Sequence, residues 1–71
     1  MTKDEIGRLQ AYLKKTFKTP TLEVRGRPKK ADSAEVYVDG EFVATITVDD
    51  EDGGRDYQMQ MAILEIDLEE V

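Results

Sequence analysis

The sequence predicts an α+β domain, one N-terminal helix packed on a mainly antiparallel sheet of three to four strands. Three observations carry this. Apolar residues recur at helical spacing through the first turns of the chain. Apolar and polar residues then alternate over four later segments. Between two of those segments stands Asp39-Gly40, the strongest short hairpin signal in the chain. Seventy-one residues make one domain spanning 1–71, and 39% apolar against 37% charged content leaves only a thin core.

The helix begins at once. Thr2 and Glu5 have the spacing of a capping box, and Met1 and Ile6 supply the apolar staple across it. Ile6, Leu9, Leu13 and Phe17 fall on one face with Tyr12 alongside, which marks the stripe meant for the core. Lys14, Lys15 and Lys18 suit the negative end of the helix dipole, and Pro20 ends the helix by about Lys18.

Leu22 to Arg25 alternates as a short first strand, and Gly26-Arg27-Pro28-Lys29-Lys30 then breaks the pattern as a basic loop. Ala34–Val38 and Glu41–Val48 make the second and third strands, and Asp49 to Gly54 an acidic turn. The fourth strand runs from Arg55 to about Leu64, with Tyr57, Met59, Met61 and Ile63 on one face as core residues. Register at the hairpin decides the surface. A two-residue turn sets Tyr37 against Phe42 and Val36 against Val43, leaving Val36, Val38 and Val43 as an apolar patch on the face the helix does not cover. A three-residue loop instead gives one clean core face; turn statistics favour the former, with Phe42 buried. Beyond Ile63 the alternation changes phase, which points to a bend or bulge near Ile63-Leu64. The tail from Leu64 to Val71 is expected to extend the last strand, with a short helical turn or a docking motif as the lesser options.

Charge is distributed unevenly. Through residue 30, nine basic residues face three carboxylates, a net of +6; from Ala31 onward thirteen carboxylates face Arg55 alone, a net of -12. Either the halves pair internally or they form separate basic and acidic patches for partners. The chain has neither cysteine nor histidine, so disulfides, thiolate metal sites and the commonest general base are all excluded. An enzyme is therefore not expected, nor a cofactor. With no signal-peptide pattern and no long apolar run, the chain reads as cytoplasmic without a membrane partner.

The stretch Gly26 to Val38, the acidic Asp49-to-Gly54 turn and the ending Gln60-Met61-Ala62-Ile63-Leu64 together resemble a small alphaproteobacterial family of unknown function. The resemblance covers nearly the whole chain. It implies a compact helix-plus-antiparallel-sheet protein of bacterial cytoplasm and assigns no activity, ligand or site residue.

Arg25, Arg27, Lys29 and Lys30 form the densest basic segment and are the candidate contact residues for a partner with an acidic surface. The α-then-β order is also similar to small RNA-binding modules, with Tyr37 and Tyr57 available to stack on bases. Nucleic acid is the less favoured partner, because net charge is negative and no aromatic-rich strand motif is present. The acidic turn is not an EF-hand loop: starting at Asp49, Gly53 and Gln60 fall where ligands are required. Ser33, the sole serine, is read as a loop cap. These readings converge on a small non-enzymatic interaction or regulatory module, with a homodimer as one form and nucleic-acid association as the alternative.

Overall fold

A computed structural model describes residues 1–51 and 53–71. Helix α1 (Lys3–Phe17) precedes strands β1 (Leu22–Arg27), β2 (Lys30–Val38), β3 (Glu41–Asp49) and β4 (Asp56–Gln60), and a short helix α2 (Glu65–Glu69) follows. The four strands form one antiparallel sheet in sequence order, β1-β2-β3-β4. The expected α+β architecture, with its single N-terminal helix, is the observed one.

The helix starts where its capping box requires. The Glu5 N–H donates to Thr2 Oγ1 at 3.1 Å, and the Thr2 N–H donates to Glu5 Oε1 at 3.0 Å, satisfying two of the free amides of the first turn. At the other end Lys18 adopts a left-handed conformation, φ 52°, and its N–H closes onto Lys14 and Lys15. That reversal delivers the chain to β1. A further bond fixes the docking: the Val24 N–H, on the outer edge of β1, donates to Gln10 Oε1 of the helix at 3.0 Å.

The hairpin satisfies both demands that seemed opposed in the sequence. Asp39 and Gly40, φ 52° and 81°, make a two-residue turn of the type whose twist matches the strands, setting Val38 against Glu41 and Tyr37 against Phe42. Register then slips by one at Val43, so Val36 faces Ala44 and Ala34 faces Ile46. The extra residue moves Ala44 and Ile46 to the helix side. The patch expected on the uncovered face is therefore not there: Val36 is 1% exposed, and Val38 and Val43 pack against the core. Phe42, expected buried, lies on the open face instead.

The core consists of Leu13, Leu22, Val24, Ala34, Val36, Ala44 and Ile46, bordered by Met1, Ile6, Leu9, Val38, Val43 and Tyr57. Gly26 lets helix and sheet approach, since a Cβ there would stand 2.7 Å from Ile6 Cδ1. The α1 contacts concentrate on β1. One helix about 10 Å across spans roughly half of a four-stranded sheet with strands about 4.8 Å apart. Its uncovered half explains two corrections: Met59 and Met61, expected in the core, are exposed, as are Tyr12 and Phe17 of the helix.

The last strand is also shorter than expected, ending at Gln60 opposite Thr45. Beyond that point β3 approaches its bulge at Val43, which breaks the regular edge a longer β4 would need. The tail does not extend the strand. It turns into α2, where the Leu64 N–H donates to Asp67 Oδ2 at 2.9 Å.

Candidate interaction surface

Arg27, Lys29 and Lys30 line one hollow with Pro28 at the β1–β2 connection, and Arg25 does not border it. Arg25 lies on the sheet face opposite α1, where it donates to Glu23 Oε1 at 3.0 Å and rests 3.9 Å over the Tyr37 ring. That hydrogen bond holds the Glu23 carboxyl below its ordinary range and raises the Arg25 guanidinium. Tyr37 in turn donates to Glu35 at 3.0 Å and meets Phe42 edge-on, 5.9 Å between centroids. Arg25 is thus engaged within its own sheet. Arg27 is half-buried, its Nη1 donating to Ser33 Oγ at 3.4 Å. Ser33 belongs to β2 and is buried, rather than capping a loop. Of these four, Arg27, Lys29 and Lys30 make no ion pair among the described residues; Lys29 lies in the β1–β2 turn and Lys30 opens β2.

Internal pairing between the basic and acidic halves is slight. The three ion pairs of the described residues are Arg8–Asp4, Arg25–Glu23 and Arg55–Glu5, and only the last joins the two halves. It is also the best built. Glu5 Oε2 accepts from Arg55 Nε and from the Tyr57 hydroxyl, both at 2.6 Å, and the Glu5 side chain is 16% exposed. These bonds, Arg55 first and Tyr57 second, hold its carboxyl down at about 2. Tyr57 is raised for the same reason, by its bond to Glu5. Every oxygen of this cluster is committed to tying β4 to the first turn of α1, so it reads as a structural clasp.

The acidic turn includes Asp52, outside the described residues; among the rest, no three carboxylates converge as metal ligands. Among the described residues, no helix is long and apolar enough to cross a membrane.

The concentration of exposed apolar side chains lies elsewhere. Met59, Met61, Ile63, Leu64, Ile66, Leu68 and Val71 are all exposed, from 43% at Met59 to full exposure at Val71. They recur from the edge strand through α2, with Glu65, Asp67, Glu69 and Glu70 between the later ones. Scattered apolar surface residues need no explanation, but a concentration of them is a mark of a covered surface. The alternation Leu64, Ile66, Leu68 was visible in the sequence; that nothing in the chain buries it was not, because the expected strand extension would have placed it on the sheet.

Two hollows flank this run. One, about 550 Å³, opens between α1 and β4, floored by Ile46, Tyr57 and Met59 and walled by Leu9, Tyr12 and Leu13. The other, about 440 Å³, lies between the start of β3 and the arm, with Phe42, Val43, Gln60, Ala62 and Leu64 on its walls.

Residues 5–67 match the family described as a protein of unknown function, DUF3126, and the chain belongs to that family. This is the kind of family, one of unknown function, that the Gly26-to-Val38 stretch and the acidic turn resemble. No curated protein and no solved structure matches the chain.

Proposed function

We propose that this protein is a small non-enzymatic module that works by binding another protein through residues 59–71. The observation that supports this is the series of exposed apolar residues from Met59 to Val71, spaced in its second half by carboxylates, which the chain's own helix leaves uncovered. A sequence without histidine or cysteine, and carboxylates that among the described residues are either solvated or committed to clasps, argue against catalysis. The partner chemistry differs from the acidic surface that the basic loop suggests. The arm carries Glu65, Asp67, Glu69 and Glu70 and no cation, so it suits an apolar trough with a basic margin. Lys29 and Lys30 remain available as a second contact.

The test is photo-crosslinking in cells from a benzoylphenylalanine placed at Leu68, with a second placed at the exposed Glu23 on β1, at the opposite edge of the sheet. A discrete protein adduct from position 68 that position 23 does not yield is expected. Absence of any adduct from position 68, in cells where the protein is folded and abundant, contradicts the reading.

A further inference from the structure

The two edges of the sheet are built differently. The β1 edge is guarded: Gln10 accepts from its outward Val24 N–H, Arg25 and Arg27 stand on it, and the register breaks between Gly26 and Arg27. Among the described residues the β4 edge has no register break and no side chain bonded to an outward amide, and its one charge, Asp56, stands at its start. From Tyr57 to Gln60 the strand is uncharged, and the chain continues without a charge or a proline through Leu64 into the exposed arm. An unguarded edge is a template for another strand.

We propose that two copies of this chain pair antiparallel along β4, and that the arm of each, residues 61–71, lies in the trough between α1 and β4 of the other. The proposal deepens the interaction-module reading and rests on it.

Three features of one chain are met by a single two-fold axis. In an antiparallel β4 pair, the second copy's arm leaves past the Asp56 end of β4. There the mouth of the trough is formed by Glu5, Arg8, Leu9, Arg55 and Tyr57. The arm is long enough: four extended residues reach about 13 Å and the five-residue α2 adds about 7.5 Å, against about 12 Å of helix from Glu5 to Leu13. Met59 lies on the helix side of the sheet, opposite Ile46, so pairing at β4 brings the two methionines together beneath the arms.

Charge at the rim is mixed: the trough and its mouth carry Arg8 and Arg55 beside Glu5 and Asp56, with Lys14, Lys15 and Lys18 further along the chain, while the arm carries four carboxylates and no cation. Exposed pairs between these cations and the arm contribute little individually, but they help orient the partners. A standard interface covers about 800 Å² per partner, about a seventh of the 5709 Å² that the chain exposes. Each copy contributes its edge, its arm and its trough; Tyr12, Met59 and the apolar side chains of the arm are open in the monomer, while Leu13 and Ile46 are already buried.

Sedimentation equilibrium of the purified full chain tests the partner, and cross-linking tests the seating. The chain has no cysteine, so a Tyr12→Cys chain mixed with a Leu68→Cys chain reports one contact without background. A dimer of twice the 8.1 kDa chain mass is expected. The mixture should form the heterodisulfide faster than either chain forms its homodisulfide. The Ile66→Glu/Leu68→Glu double variant should weaken dimerisation about 100-fold or more. Its circular dichroism should match the wild type, because both side chains are exposed in the monomer. A wild-type monomer at millimolar concentration overturns the proposal. If Leu68 still cross-links to a different protein in cells, the interaction-module reading survives that result; if it cross-links to nothing, both fall. A dimer that forms no heterodisulfide overturns the exchanged arms.

Discussion

At the scale of single residues, Glu5 couples the start of the helix to the last strand. It accepts from the Thr2 amide in the capping box and from Arg55 and Tyr57 across the sheet, and its carboxyl is held at about 2 instead of the ordinary 4.5. A carboxyl whose folded pKa is depressed contributes stability above the unfolded value and loses it as pH falls through the folded value. Urea midpoints of the wild type should therefore exceed those of Glu5→Gln at neutral pH. The difference should shrink as pH drops from about 4.5 to about 2. A difference that stays constant across that window would show that the Arg55 and Tyr57 bonds act only through packing. Tyr57→Phe removes the second donor and should move the Glu5 titration upward, read by carboxyl NMR shifts.

At the scale of elements, two glycines decide how strands and helix meet. Gly40 holds φ 81° in the β2–β3 turn, where an alanine incurs the left-handed penalty of about 1–2 kcal/mol; Gly40→Ala should lose about that much stability in urea unfolding. Gly26 acts by proximity, with Ile6 Cδ1 in the way of a Cβ. Gly26→Ala should cost about 1 kcal/mol, and Ile6→Val, which deletes that methyl, should recover part of it in a double-mutant cycle. Most elements were legible because their signals are local: the Thr2–Glu5 box, the Leu9 and Leu13 stripe, the Asp39-Gly40 turn. The bulge at Val43 was not, because it is a compromise between turn geometry and core composition that no local window contains. Once it is present, the burial of Val36, the exposure of Phe42 and the early end of β4 follow from it.

The whole molecule is a sheet too wide for its helix. Its core includes two alanines, and its largest fully buried side chains are Ile46 and Val36. A domain of this size is held by about 3–5 kcal/mol, and Ile46→Ala removes about 2–5 kcal/mol. That variant should be largely unfolded at 37 °C by circular dichroism; a cooperative, little-changed transition would mean that the stability resides elsewhere. The candidate surface was the least legible feature, since the charge asymmetry directed attention to Arg25, Arg27, Lys29 and Lys30. In the fold, Arg25 and Arg27 are spent on Glu23, Tyr37 and Ser33, while the apolar tail that reads as strand goes uncovered. Burial is a property of the assembled sheet, and alternation alone does not report it.

The most direct measurement is backbone amide hydrogen exchange of the purified full chain at micromolar and millimolar concentration. The account predicts that the amides of residues 56–71 gain protection at the higher concentration by more than those of β1, which gain only what the added global stability confers. Equal, rapid exchange of residues 56–71 at both concentrations would contradict the assignment of this edge and arm to a second copy.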